Sequence, residues 1–252
     1  MIETVQRDDG VVVVTLAHGK ANVMDLEFCT ALAERFEAFA AAPPAALVVT
    51  GQGRIFSAGV DLNRLLDGGA DYARSFLPSL DRMLLALLGV PCPVVAAING
   101  HAIAGGCLLA VAADRRLMAR GGGRIGMPEL RVGVPFPPVA LELARSVVQS
   151  HALQRALAGG ETFEVDAAQA AGLIDAPVEA EQLLEQATAL AADLAGIAAP
   201  TYALTKAMLQ QPLHARIAAQ TAAHGAQVDA LWQDAATFDA VRAFVSKTMA
   251  KG

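Results

Sequence analysis

Apolar positions at the start of this chain fall in short runs separated by turn chemistry. Between Ile2 and Leu16 two such runs flank Asp8-Asp9-Gly10, the pattern of a β-hairpin. Asp25 then stands where a helix N-cap belongs. Phe28, Cys29, Leu32, Ala33, Phe36 and Phe39 follow at helical spacing as far as Pro43-Pro44, predicting an amphipathic helix. Ala46 to Thr50 reads as a buried strand closed by Gly51-Gln52-Gly53. The order then repeats: a helical pattern through Phe76, Leu80, Met83, Leu84 and Leu87 leads past Pro91 and Pro93 into a strand from Val94 to Ile98, followed by Asn99-Gly100. A short helix from about Gly106 to Ala113 and brief strands at Arg116 to Ala119 and Arg124 to Gly126 precede Met127-Pro128-Glu129. Beyond Val139 the chain turns alanine-rich and helical. Breaks are expected at Gly159-Gly160, Gly172, Pro177, Pro200 and Pro212, and one long helix from Leu213 to Met249. A soft boundary near residue 195 separates a strand-and-helix core, 1–195, from a helical C-terminal region, 196–252.

Composition sets the setting for these elements. A chain of 252 residues fits one large α/β domain, and 54% hydrophobic with 17% charged residues excludes disorder and supplies a sizeable core. Met83 to Ala113 holds no Asp, Glu, Lys or Arg. Its longest apolar piece, Met83 to Ile98, nevertheless contains Pro91 and Pro93 and falls short of the ~20 residues of a spanning helix. No membrane partner is expected. Nineteen basic against 25 acidic residues, net charge -6, with no Lys/Arg cluster, argue against nucleic acid. Cys29, Cys92 and Cys107 form no CxxC pair, so neither a disulfide framework nor a metal site is expected. Met1 to Asp9 lacks the basic start and apolar stretch of a secretory signal, which points to a cytoplasmic protein.

Several nucleotide and hydrolase signatures fail on chemistry. The segment from Gly100 to Cys107 has the glycine spacing of a phosphate-binding loop, but Gly106 stands where the phosphate-gripping lysine is needed and Cys107 where a hydroxyl is needed. No G-x-G-x-x-G follows a strand, and Ser57 in Ile-Phe-Ser-Ala-Gly does not form a nucleophile elbow. Two junctions remain. Gly53 to Leu62 and Asn99 to Cys107 each follow a strand and enter a helix. N–H groups at a helix start lack intrahelical partners and lie at the positive end of its dipole, so a converging pair can receive a developing anion. Taken singly, each junction reads first as a tight turn.

The two junctions and their flanks read together differently. Phe56-Ser-Ala-Gly-Val-Asp-Leu62, Ala97-Ile-Asn-Gly-His-Ala102 continuing through Gly105-Gly106-Cys107 to Asp114, and Pro128-Glu129 with Gly133 resemble, in order and spacing, the crotonase (enoyl-CoA hydratase/isomerase) superfamily. The resemblance implies an α/β fold, a crotonase-like spiral of repeated ββα units with a C-terminal helical region. It further implies a homotrimer or dimer of trimers assembled through 196–252, and an acyl-CoA thioester substrate. No separate cofactor is implied, coenzyme A being part of the substrate. Carried over by residue, the two oxyanion N–H donors fall on Val60 and Gly105. Ala21, Ala58, Gly59, Asp61, Leu62 and Pro128 fall in the substrate- and CoA-binding loops, with Lys20 and Arg54 as phosphate candidates.

Carboxylates then decide the reaction class. Hydratases of this family use two glutamates. Here Glu129 matches the second, while Leu108 occupies the place of the first and cannot exchange a proton. Phe136 stands at the aligned place of a glycine associated with the hydratase water site, so Leu108 and Phe136 are both read as pocket-shaping. One catalytic carboxyl in a dry pocket suits Δ3,Δ2-enoyl-CoA isomerisation, and Asn22 to Phe28, Ala104 to Leu108 and Leu204 to Met208 resemble single-glutamate isomerases. The alternatives are a hydratase-like lyase with one glutamate missing, or an acyl-CoA-binding protein of low activity. His101 is read as a packing or hydrogen-bonding residue, Asp61 as a helix cap that also touches CoA, and Cys107 as a small core residue.

Overall fold

The computed structural model describes residues 1–249. Its elements run β1 (Ile2–Gln6), β2 (Val11–Leu16), β3 (Val23–Met24), α1 (Leu26–Ala41), β4 (Ala46–Gly51), β5 (Ile55–Ser57), β6 (Gly59–Val60) and α2 (Leu62–Leu88). Next come β7 (Val94–Ile98), β8 (His101–Ile103), α3 (Gly105–Val111), β9 (Arg115–Ala119), β10 (Ile125–Gly126), α4 (Glu129–Val132), α5 (Pro138–Val147) and α6 (Ser150–Leu153). The chain closes with β11 (Thr162–Phe163), α7 (Val165–Ala170), β12 (Ala176–Val178), α8 (Leu183–Ala195), α9 (Ala199–Trp232) and α10 (Ala235–Met249).

The repeat predicted by the apolar pattern is a spiral. A six-stranded sheet has the order β1-β2-β4-β7-β9-β12, a four-stranded sheet the order β11-β10-β8-β5, and β3 pairs with β6. Successive turns each give one strand to the large sheet and one to a small sheet before a helix: β4 and β5 before α2, β7 and β8 before α3, β9 and β10 before α4. This is the α/β spiral of ββα units expected from the sequence. Except for the β1–β2 hairpin, the neighbours in the large sheet are parallel. A parallel sheet covered on both faces reads as unbroken apolar runs, and β2, β4 and β7 do so. Val12, Val14, Leu47, Val49 and Val94 face the main core with α1 and α2. Val11, Val13, Ala46, Val48 and Val95 face the opposite side, where Leu183, Ala187 and Ala191 of α8 cover them.

Local signals placed most element ends. Asp25 caps α1 by accepting from the Phe28 N–H at 2.7 Å, and Asp61 caps α2 by accepting from the N–H groups of Asn63 and Arg64, each at 3.0 Å. α2 starts at Leu62, earlier than the periodicity alone suggested, and bends at Gly69. The C-terminal half departs further from expectation. β11 and β12 lie where only helix was read; Pro177 is tolerated in β12 because β12 is the last strand of the large sheet. Pro212 lies inside α9 without ending it. The helix expected from Leu213 to Met249 is instead divided at Gln233-Asp234, where Asp234 accepts from the Ala236 N–H at 3.3 Å to start α10.

The boundary near 195 coincides with the end of α8, but it does not separate two cores. Leu213, Ile217, Trp232 and Val241 from α9 and α10 join the same apolar cluster as the spiral. Among the described residues no single helix is long and apolar enough to cross a membrane.

Candidate functional site

Three neighbouring strands of the four-stranded sheet build the site. β5, β8 and β10 are parallel neighbours, and the chain leaves their carboxyl ends into Gly59-Val60, Ala104-Gly105 and Pro128-Glu129 respectively. In open parallel sheets ligands bind outside the carboxyl ends of strands, where successive loops converge. Convergence here is close. A Cβ added to Gly59 would stand 2.5 Å from the Ile103 carbonyl oxygen, 2.8 Å from the Ala104 Cβ and 3.2 Å from the Gly105 nitrogen, so only glycine lets the two junctions meet. The Ala104 N–H donates to the Gly126 carbonyl at 2.8 Å, tying the second junction to the strand that leads to Glu129.

Backbone strain marks the same place. Ala104 has φ 51°, ψ -122°, and Asn22 has φ 47°, both positive for residues with a Cβ. Such conformations persist only when surrounding contacts hold them. Around Asn22 those contacts are explicit: Asn22 Oδ1 accepts from the His18 N–H at 2.8 Å, and its Nδ2 donates to the carbonyls of Ile55 and Phe56 at 3.2 and 3.0 Å. Ser57 Oγ donates to the Asn22 carbonyl at 2.7 Å and accepts from the Gly59 N–H at 3.1 Å. The Ala58 N–H donates to the Ala21 carbonyl at 2.9 Å. This network fixes the first junction against the Ala21-Asn22 segment that leads into β3. Neither Asn22 nor Ser57 was assigned that role from the sequence, because the bonds that join their two segments span more than thirty positions.

The loops enclose a cavity of about 100 Å³. Of the residues read from the sequence as site residues, Ala58, Val60, Leu62, Gly105, Leu108, Pro128 and Glu129 line it. Ala21, Gly59 and Asp61 do not, but they hold the first junction in place as described. Phe136 requires correction: it faces a separate groove with Leu141, His224 and Val228, while Val134 and Pro137 turn into the cavity. Other lining residues went unread, and two of them, Trp232 at the end of α9 and Phe244 of α10, come from the C-terminal helices. Lys20 and Arg54 are exposed and do not line it. His101 accepts from the Arg124 N–H at 3.2 Å, and Cys107 is fully buried with its thiol pushed up by burial, in keeping with structural roles for both.

Glu129 is the only ionisable side chain among the described residues that line the cavity. It opens α4, with Pro128 before it, and is 6% exposed. Its Oε2 has no hydrogen-bond partner, and burial pushes the carboxyl up to about 8. Low dielectric disfavours the charged form, so a group held this way is poised to exchange a proton near neutral pH. Gly105, as the first residue of α3, carries an N–H for which the helix has no acceptor, and Val60 lines the cavity beside it. Val60, Gly105 and the Glu129 carboxyl thus line one and the same cavity.

Comparison with known proteins accords with this geometry. Residues 6–251 match the family described as enoyl-CoA hydratase/isomerase. Human mitochondrial enoyl-CoA delta isomerase 1 is 31% identical over 216 residues, covering 84% of this chain and 71% of its own. A putative enoyl-CoA hydratase from Thermus thermophilus is 36% identical over 167 residues, 65% of each chain, so the match spans just under two thirds of that relative. The solved human mitochondrial Δ3-Δ2-enoyl-CoA isomerase superposes with a TM-score of 0.92 over 99% of this chain and 98% of its own; at 24% identity that likeness is one of fold.

Proposed function

This chain belongs to the enoyl-CoA hydratase/isomerase family, and we propose that within it the protein is a Δ3,Δ2-enoyl-CoA isomerase. Glu129, ionised, takes the proton from C2 of a 3-enoyl-CoA. The C2–H electron pair forms a C1–C2 double bond as the thioester C=O pair moves onto oxygen, giving a dienolate that keeps the C3–C4 double bond and carries its charge on that oxygen. As C=O re-forms, the C1–C2 pair becomes the C2–C3 double bond and the C3–C4 pair takes up a proton at C4. Glu129 returns the same proton to C4, so no water or second acid is consumed. The N–H groups of Val60 and Gly105 are assigned to that oxygen, where fixed donors stabilise the dienolate more than the ground-state carbonyl. Ala58, Leu62 and Pro128 are assigned to the walls around the thioester, and Ala21, Gly59 and Asp61 to the CoA-binding loop.

One observation carries the choice of reaction: a single carboxyl faces a cavity that is otherwise apolar, with Leu108 where a second acid would be required for hydration. Water added across a double bond needs one group to activate it and one to protonate carbon, and each such group is worth about 10²–10⁴ in rate. Excluding water also protects the dienolate from side reactions. A hydratase reading draws on the name of the Thermus relative. Purified protein incubated separately with a 3-enoyl-CoA and a 2-enoyl-CoA decides between them. Appearance of conjugated 2-enoyl product in the first, without loss of 2-enoyl absorbance in the second, is the isomerase outcome. Rapid 3-hydroxyacyl-CoA formation from the second overturns it.

Assembly into trimers or pairs of trimers is part of the same proposal. Leu204, Met208 and Leu209 leave a row of exposed apolar side chains on α9, a larger cluster than an isolated surface residue needs to explain. Sedimentation equilibrium at a monomeric mass would refute it.

A further inference from the structure

Beside Val60, Gly105 and Glu129 the cavity is lined by Val132, Val134, Pro137, Trp232 and Phe244, all apolar. A second groove of about 370 Å³ is lined by Leu130, Phe136, Leu141, Val228 and Leu231 among others. The α4–α5 connection and the end of α9 contribute side chains to both spaces and form the wall between them. Along the α4–α5 connection Val132, Val134 and Pro137 turn to the cavity while Leu130, Pro135, Phe136 and Pro138 turn to the groove; at the end of α9, Leu231 faces the groove and Trp232 the cavity. Trp232 is 2% exposed, and its Nε1 donates to the Pro135 carbonyl at 3.0 Å, so the indole both lines the cavity and pins the connection that forms the rest of the wall.

We propose that Trp232 is the acyl-chain stop of this site and that the protein acts on short-chain enoyl-CoA thioesters, of about six carbons or fewer, since an apolar cavity of about 150 Å³ holds only a benzene-sized guest and this one measures about 100 Å³. The inference rests on the reading that the cavity takes the acyl part of an acyl-CoA. A longer chain would have to pass the indole into the groove. Shortening the side chain at 232 removes the plug and the bond to Pro135 together, joining the two spaces. Adding or removing one methylene in an apolar pocket changes discrimination about 10–200-fold, so the effect of an opened wall is large enough to measure.

The experiment separates this stop from the isomerase reading by using binding as well as turnover. Hexanoyl-CoA and decanoyl-CoA, which cannot react, are titrated by calorimetry into the wild-type protein and into W232F and W232L, each checked for native circular dichroism. In parallel, 3-hexenoyl-CoA and 3-decenoyl-CoA are assayed for conjugated product. The wild type is expected to bind and convert the six-carbon esters in preference to the ten-carbon esters by about tenfold or more. W232F shifts that ratio toward ten carbons and W232L shifts it further, and either variant that folds suffices. If no enzyme form converts any 3-enoyl-CoA but the binding ratio moves as stated, the isomerase reading falls and the chain stop stands. A wild type that binds decanoyl-CoA as tightly as hexanoyl-CoA, or folded variants that keep the wild-type ratio, overturns the stop whatever the turnover.

Discussion

Glu129 and Glu142 sit thirteen positions apart, each on a short helix and each withdrawn from water, at 6% and 0% exposure. Their surroundings are opposite. Glu142 is held by Arg145 from its own helix at 2.9 Å through Oε1 and by Arg216 from α9 at 2.9 Å through Oε2. Glu129 has an unpartnered Oε2 and, among the described residues, no cation beside it. Burying a carboxylate without partners is costly, so such a group keeps its proton, whereas a pair of guanidinium groups lets a buried carboxylate join two helices. Burial therefore does not distinguish a carboxyl poised to exchange a proton from a structural one; the partners do.

The largest test of that contrast is E129Q. The amide keeps the shape but cannot cycle a proton, so turnover of a 3-enoyl-CoA should fall by about 10²–10⁴ or more, with calorimetric binding of a saturated acyl-CoA retained. Near-normal activity in E129Q would remove Glu129 from the chemistry. The corresponding change at the other glutamate acts on stability. E142A removes the buried carboxylate that joins Arg145 and Arg216 at the α5–α9 contact. Both guanidinium groups are partly exposed and stay solvated, so the loss is that of charge-assisted hydrogen bonds, about 1–3 kcal/mol. Thermal unfolding measures it, and a loss under about 1 kcal/mol would show the pair to behave as a surface bridge.

Stability of E129Q should move the other way, with a defined pH dependence. Below pH ~4.5 Glu129 is protonated in both folded and unfolded chains. Between there and about 8 the unfolded chain has released the proton that the native chain still holds, so wild-type stability declines as pH rises and levels off above about 8. E129Q lacks this decline and should exceed the wild type by about 2–4 kcal/mol at pH 8, converging with it near pH 4. Parallel unfolding curves across that range would mean the carboxyl is not raised. For the wild type, kcat/KM should rise about tenfold per pH unit below that ionisation and flatten above it, with a single limb because one group serves as both base and acid.

The smallest effect concerns a third carboxyl. Asp81 of α2 has a buried Oδ1 with no partner, and burial first, the nearby Asp229 charge second, push its carboxyl up to about 7. The native chain again holds the proton longer than the unfolded one, so D81N should stabilise by about 1–2 kcal/mol above pH 7 and by nothing near pH 4. Equal unfolding temperatures for wild type and D81N at pH 8 would contradict it.

Much of the molecule was legible before any coordinates. The hairpin, the caps at Asp25 and Asp61, β4, β7 and α3 follow from turn residues and apolar period, because each is fixed by neighbours within a few positions. Strands β11 and β12 were missed because two or three residues carry no period; only pairing with β10 and β9 makes them strands. In the site, Val60, Gly105, Leu108 and Glu129 stood out through motif spacing and do share the cavity. Phe136 was misplaced since which residue of 132–138 turns inward depends on the conformation of a connection pinned by Trp232, about a hundred positions later.

By itself the sequence determined the family, the ββα spiral and the residue types at the strand ends, since these reside in short segments whose chemistry is local. Tertiary structure alone decided that Gly59 meets Gly105, that Asn22 and Ser57 brace the first junction, that Glu129 lacks a counter-charge among the described residues while Glu142 has two, and that an indole from α9 lines the cavity. Proximity between distant residues and the absence of water around a charge are properties of the packed chain, and no local pattern encodes either.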